Sequence, residues 1–410
     1  MGPNNMVKRS DRRVVVSGVG VVSSIGIGKE KFWKNLIFGK TGVSKVESLN
    51  VEKYENKNGG EIKIFDPSDY FKKDEIKNIA RASQFSIVAT QLAVNDAKLD
   101  MGCLRNASII MGTTMADIQS LEIIDRLLEE DREDYIWNAN IIKYPSNELS
   151  SSVASYFKMN GAGYTISTAC AAGNYSIAFA YDLLKEGKNT IVFAGGADPF
   201  SRITFTGFGR LFAMAPEKCQ PFDKNRKGMI VGEGAGVLVL EELSHALARN
   251  ADIYAEVLGY GLSCDATHMT SPNVEGIIKV MRKAINNSGL TNKDIDYICA
   301  HGTGTPANDK AECGAIKIVF EDCYKNIKVN SIKSMLGHTM GAASAIEAIN
   351  CCLTIKNGII APTINFETTD IDCEIDCTPN KACKKPVKYA LNNSLAFGGN
   401  NACLVLGKYE

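Results

Sequence analysis

Short β-branched runs alternate with longer segments of helical periodicity along all 410 residues, and that alternation most constrains what the chain can fold into. Strand candidates are Val14 to Val16, Ser108 to Met111, Thr190 to Phe193 and Val237 to Leu240. A second set follows at Ile253 to Val257, Tyr297 to Cys299, Lys328 to Ser331 and Ala402 to Leu406. Helical spacing runs through Phe85 to Ala93, Tyr175 to Leu184, Ile277 to Asn286 and Ala342 to Ile355. This is the pattern of an α/β fold.

The two sets of strands suggest an internal duplication. Val14 to Ser23 (VVVSGVGVVS) resembles Tyr254 to Ser263 (YAEVLGYGLS): a strand, a Gly-x-Gly, then a small polar residue. Each opens a half that ends in another apolar strand, near Leu240 and near Leu406. The break falls in Glu241 to Asp252, a charged helical stretch rather than a Pro/Gly linker, so the expected halves, 1–250 and 251–410, share one core. Asp117 to Ile142 carries a charge run, Glu129 to Asp134, and reads as an exposed insertion around a helix that covers a pocket.

Lys plus Arg and Asp plus Glu number 46 each, so no global field favours nucleic acid or an anionic membrane. No stretch approaches eighteen apolar residues, so no membrane span is expected. Met1 to Arg9 lacks an apolar signal-peptide core, and position 6 lacks the Ser or Thr of a myristoylation pattern. The 13 cysteines have no repeated spacing, and a cytoplasmic protein with reduced thiols is the expectation.

Chemistry concentrates in three places. In Tyr164 to Gly173 (YTISTACAAG) a β-branched strand ends in small residues, Cys170 falls at a tight turn, and a helix begins. Small neighbours admit a substrate to the sulfur, and the helix N-terminus should lower the thiol pKa from ~8.5 towards neutrality. An isolated cysteine would instead be read as a buried structural one. His301 leaves the strand Tyr297 to Cys299 within the run His301 to Pro306 (HGTGTP), and His338 ends Lys333 to His338 (KSMLGH). Glycines beside each imidazole let a ligand approach the backbone. The remaining two of four histidines, His245 and His268, read as structural. Neither His301 nor His338 has a ligand partner at zinc-site spacing, which argues against a metal.

Two features are discounted. Gly232 to Gly236 (GEGAG) precedes a strand, whereas a dinucleotide loop follows one. Cys373, Cys377 and Cys383 lack a nearby fourth ligand and read as ordinary thiols.

Taken together with Pro221 to Asp223, Cys264 to Thr270 and Ser394 to Asn401 (SLAFGGNN), these motifs make the chain resemble a β-ketoacyl-acyl carrier protein synthase. The resemblance is to the elongating type II condensing enzymes of the thiolase superfamily and runs from Val14 to Leu406. It implies a thiolase-like fold: two similar βαβαβαββ halves in a five-layer α-β-α-β-α arrangement, and a dimer. It implies that Cys170 holds the acyl chain as a thioester, that His301 and His338 stabilise the charge formed as malonyl-carrier protein loses CO₂, and that Lys333 holds the histidine geometry with Glu347 as its partner. The N–H groups of Cys170 and Phe397 would form the oxyanion hole. Thr303 and Thr305 would bind the pantetheine arm, and Phe397 would gate the acyl pocket on a loop freed by Gly398 and Gly399. Met115, Phe208 and Thr270 would complete the substrate site. No metal or free cofactor is implied, because the carrier protein brings its own phosphopantetheine.

Three departures bear on substrate. Ala171-Ala172 follows the cysteine where many fatty-acid enzymes carry bulkier or hydroxyl residues, Met115 stands at the acyl pocket, and Phe212 stands where relatives place a carrier-docking arginine, with Arg210 two residues earlier. A polyketide or polyene ketosynthase paired with a chain-length-factor-like subunit is therefore the alternative to a fatty-acid enzyme. A coenzyme A-dependent thiolase would need a second cysteine where Ala396 to Asn400 stands, and a non-catalytic partner subunit would lack Cys170.

Overall fold

The computed structural model describes residues 12–136 and 138–410. Among the described residues the main sheet has eleven strands, and ten of them form its continuous path: β1 (Val14–Ser23), β2 (Ser108–Gly112), β3 (Gly163–Ile166), β4 (Ile191–Asp198) and β5 (Gly234–Glu242), then β6 (Ala255–Cys264), β7 (Tyr297–Cys299), β8 (Lys328–Asn330), β9 (Tyr389–Ser394) and β10 (Asn400–Gly407). The helices that matter here are α1 (Arg81–Ala97), α2 (Gln119–Glu129), α3 (Glu148–Phe157), α4 (Ala172–Lys185), α5 (Arg202–Arg210), α6 (Val274–Asn287), α7 (Pro306–Phe320) and α8 (Ala343–Asn357).

Outward from the centre, the first five strands run β1-β5-β4-β2-β3 and the last five β6-β10-β9-β7-β8, the same order twice. The pairing senses repeat as well. The second strand of each set lies parallel to the third and fourth, and the fifth pairs antiparallel with the first and fourth. The sets join where Val14 to Val16 pair antiparallel with Val257 to Ala255. With α1, α3 and α4 interleaved in the first set and α6, α7 and α8 in the second, each reads βαβαβαββ; α2 and α5 are additions to the first.

Layering follows from which faces are apolar. The helices α4 and α8 touch each other and strands of both sets, so they form the middle layer. Every residue of α8 from Ala343 to Ile355 is buried, as expected of a helix enclosed on all sides rather than amphipathic. A cluster including Val14, Ile177 and Leu240 from one half and Tyr297, Ile346 and Leu404 from the other fills this middle. The helices α1 and α3 cover the outer face of the first sheet with Phe85, Val88 and Leu149, and α6 and α7 cover the second with Met281, Ile285 and Ile316. Helix, sheet, helix pair, sheet, helix gives the five layers expected.

The insertion differs from its expectation. Asp117 is buried, and its carboxylate accepts from Ala82 N (2.7 Å), Ser83 N (3.3 Å) and Ser83 Oγ (2.5 Å), capping the start of α1. The helix α2 packs beside α5, where Glu122 Oε1 accepts from Ile203 N at 2.7 Å. The run Glu129 to Asp134 is solvated, and none of the described residues of the 117–142 segment lines the central cavity. A further element without an apolar-run signal is β9: its second half, Asn392-Asn393-Ser394, is polar yet wholly buried.

Candidate active site

The strand β3 ends at Ile166, and Ala169 adopts a left-handed φ of 49° before Cys170, in the single turn that leads into α4. A non-glycine residue holds that conformation only when its surroundings impose it. Here Ser394 Oγ, from the other half, donates to Cys170 O at 2.9 Å. His301 lies two residues past the end of β7, after Ala300. Its N–H and that of Gly302 each donate to the buried Glu312 carboxylate on α7 at 2.8 Å, so the helix holds the strand-end turn. His338 follows Gly337 and is pinned by its own N–H to Ile230 O (2.6 Å) and by its carbonyl, which accepts from Gly232 N (2.9 Å). The Gly232 to Gly236 run thus supports His338 and opens β5.

These three chain segments bring the Cys170 sulfur and one nitrogen of each imidazole within 4.8 Å of one another. The rings of His301 and His338 lie edge to face with centroids 5.4 Å apart. His338 Nδ1 accepts from Met340 N at 3.1 Å, which leaves the proton on Nε2. His301 Nδ1 is buried with no partner among the described residues.

Electrostatics here are set by burial and by one cation. Lys333 and Glu347 form an ion pair with both side chains at most 2% exposed. Burial, then the Lys333 charge, hold both imidazoles well below the usual histidine range, so they are neutral; His338 adds to the effect on His301. Burial pushes Glu347 up to about 7 against the pull of Lys333. Cys170 departs from its expected activation. Burial pushes its thiol up to about 11, while Lys333 and the N–H groups of Phe397 and Cys170 pull it down. A cysteine and two histidines match the ligand count of a catalytic zinc site. Lys333 adds a fixed positive charge at that point, and N–H donors aim at the sulfur, an arrangement suited to an anion rather than to a cation.

A cavity of about 290 Å³ opens in front of Cys170, His301 and His338. Phe208, Thr270, Thr303, Thr305, Phe397 and Gly399 line it. Thr303 and Thr305 share one hydrogen bond between their hydroxyls (2.9 Å). Phe397 faces Phe208 with ring centroids 5.6 Å apart. Its loop, with Gly398 at φ 83° and Gly399 at φ 79°, is tied to Met269 O and Asp265 N by backbone bonds of 2.8 and 3.0 Å. Met115 does not line this cavity: its N–H donates to Asp198 and its sulfur accepts from Thr204 Oγ1 (3.4 Å). Lys333 and Glu347 are not part of the cavity wall.

His268, read from sequence as structural, lines the cavity mouth, its Nδ1 accepting from Thr270 N (3.1 Å) and Ser271 N (3.2 Å). Its polar loop gave no signal; its nearness to Thr270 could have. His245 is structural, bonded to the buried Glu241 at 2.5 Å. Leu211, Phe212 (91% exposed) and Met269 rim the mouth, and Phe212 holds a left-handed φ of 53°. All thirteen cysteines are free, Cys373, Cys377 and Cys383 among them.

Comparison with known proteins agrees with this geometry. Residues 11–246 match the N-terminal domain and residues 254–367 the C-terminal domain of beta-ketoacyl synthase. The chain is 36% identical over 410 residues to a 3-oxoacyl-[acyl-carrier-protein] synthase 2 of Staphylococcus aureus, covering 98% of this chain and 99% of the relative. Among solved structures, the ishigamide ketosynthase/chain length factor is 42% identical with a TM-score of 0.94, covering 97% of this chain and 100% of the other. A ketosynthase structure described as a complex with a type II PKS acyl-carrier protein is 32% identical with a TM-score of 0.90, over the same shares. With both domains matched in order across most of its length, the chain belongs to the beta-ketoacyl synthase family.

Proposed function

We propose that the chain is a 3-oxoacyl-[acyl-carrier-protein] synthase, a decarboxylating condensing acyltransferase that takes its acyl and malonyl groups from carrier protein. The observation that carries this reading is the convergence of Cys170, His301 and His338 within 4.8 Å at the floor of a cavity.

In the first stage Cys170 Sγ attacks the carbonyl of the carrier-bound thioester. The C–S bond to phosphopantetheine breaks, and the departing thiol carries the proton. In the second, malonyl-carrier protein loses CO₂ and its bond electrons form an enolate. His338 donates from Nε2 and His301 from its facing nitrogen to the thioester oxygen. The enolate carbon then attacks the Cys170 thioester, and the sulfur leaves as thiolate. The N–H groups of Cys170 and Phe397, which already act on the sulfur, support the oxyanion-hole assignment. Thr303, Thr305 and Thr270 on the cavity wall suit the amides of a pantetheine arm, and Phe397 against Phe208 suits a gate. No free cofactor enters this chemistry. The compartment we assign is the cytoplasm, consistent with thirteen free thiols; among the described residues no helix is long and apolar enough to cross a membrane.

A second reading, the ketosynthase subunit of a type II polyketide or polyene system with a chain-length-factor-like partner, is favoured by the 42% identity to the ishigamide ketosynthase/chain length factor. It shares the same chemistry and differs in the acyl chain and in whether the dimer is homo- or heteromeric.

The test uses acyl-carrier proteins of fatty and polyenoyl chains, with acylation followed by intact mass and CO₂ release measured on the same preparations. Cys170→Ala should remain folded and take up no acyl group. His301→Ala should lose condensation by ~10²–10³-fold, the usual cost of one well-placed donor, while acylation falls much less. Continued acylation of Cys170→Ala would move the nucleophile elsewhere. Equal loss of both stages in folded His301→Ala would remove that histidine from decarboxylation.

A further inference from the structure

Asp198, the last residue of β4, is 2% exposed, and no step above uses it. Its Oδ1 accepts from Thr113 Oγ1 (2.7 Å) and Met115 N (3.0 Å), and its Oδ2 from Thr114 N (2.7 Å) and Gly341 N (2.6 Å). A carboxylate has about four lone-pair sites, and all are filled by donors. Three of the partners are backbone N–H groups, which cannot accept a proton, so the site is built for the anion. Burial pushes this carboxyl up, and the four donors oppose it.

The donors come from opposite halves of the molecule. Thr113 to Met115 follow β2, whose last residue, Gly112, packs on the nucleophile turn: a Cβ there would lie 2.3 Å from the Ala172 backbone. Gly341 lies in the turn after His338. The two backbones touch with no side chain between them, since a Cβ on Gly341 would lie 2.5 Å from Thr113 Cα and one on Gly196 2.4 Å from Gly341 O. Within the same turn Met340 has a left-handed φ of 53°, and its N–H is the one that donates to His338 Nδ1. The next peptide N–H, that of Gly341, is held by Asp198.

We propose that Asp198 is a positioning residue for decarboxylation: its carboxylate fixes the Met340–Gly341 peptide against the 113–115 segment, and so keeps the His338 proton on Nε2, facing the reacting centre. The inference rests on the assignment of His338 to that stage. Asp198 acts through His338 and touches no substrate. Its anion also raises the Cys170 thiol, against Lys333.

The test compares Asp198→Asn, His338→Ala and the unmodified full-length protein. An amide cannot satisfy four donors, because its own NH₂ meets two of them. In Asp198→Asn, CO₂ release from malonyl-carrier protein should fall on the order of 10²-fold, the cost of a misplaced catalytic group, with KM little changed. Nitrogen NMR of labelled histidine should show His338 pure in the Nε2–H form in the unmodified protein and mixed in the variant. Alkylation of Cys170 should shift to lower pH, because the anion that helps to raise its thiol is gone. A folded Asp198→Asn with unmodified CO₂ release and a pure Nε2–H tautomer would overturn the proposal. If His338→Ala itself kept decarboxylating, the histidine assignment would fail instead, whatever Asp198 does. Should Asp198→Asn fail to fold, Thr113→Val removes one donor to Asp198, together with the acceptor of Ala116 N (2.7 Å); it should lower CO₂ release several-fold, and unmodified release there would equally overturn the proposal.

Discussion

Two opposing influences meet at the Cys170 sulfur. Burial favours the neutral thiol, and Lys333 with two backbone N–H groups favours the thiolate; burial dominates and pushes the group up to about 11. Because a raised pKa delays deprotonation, iodoacetamide alkylation of Cys170 should keep rising from about pH 8 into strongly alkaline solution. A plateau near neutral pH would show that the N–H groups and Lys333 outweigh burial. The histidines go the other way: held low by burial and Lys333, both stay neutral as pH falls through their usual ~6.5. Malonyl decarboxylation should therefore show no acid-side loss in that range, and a bell centred there would contradict neutral donors. At this scale the residues were legible, because Cys170, His301 and His338 each stand at a strand or helix end among small residues. The thiol's shift was not, because a sequence shows the helix that follows Cys170 but not the walls that bury it.

Among the elements, α8 is the one on which the site depends. It carries Glu347, which holds Lys333, and it is packed against both sheets. Ile349→Ala, fully buried in this helix, should cost ~2–5 kcal/mol through lost contacts and an incompletely collapsed cavity. The same change at Ile318, 48% exposed on α7, should stay within ~0.5 kcal/mol. Denaturant midpoints of the two variants decide this, and comparable losses would mean that α8 is not enclosed as described. Strands with continuous β-branched runs were readable, although β4 and β5 extend well past the four residues first visible in each. The polar β9 was not readable: Asn392 is accommodated by Asn174 and Ser344, which come from distant parts of the chain. Likewise α3, with four serines in ten residues, is a helix because Leu149, Val153 and Phe157 find a face on the first sheet.

For the whole molecule, we propose that 1–250 and 251–410 are duplicated halves of one folding unit. The supporting observation is the repeated strand order about a shared middle layer of α4 and α8. Each half expressed alone would expose its side of that layer to water, so neither should unfold cooperatively in a calorimeter. A sharp transition from either half would make them independent domains.

Read alone, the sequence sufficed for the class of fold and for picking out the cysteine and two histidines that meet at one cavity. Hydrophobic periodicity, glycine-flanked strand ends and the order of motifs are all written locally. Tertiary structure decided the rest. It set the thiol's protonation, brought His268 to the cavity mouth, turned Asp117 into a helix cap, and placed Asp198 between the turn after His338 and the segment beside Cys170. Each of those outcomes depends on which distant backbone N–H or apolar wall a side chain meets, and only closing the two halves on each other brings those partners together.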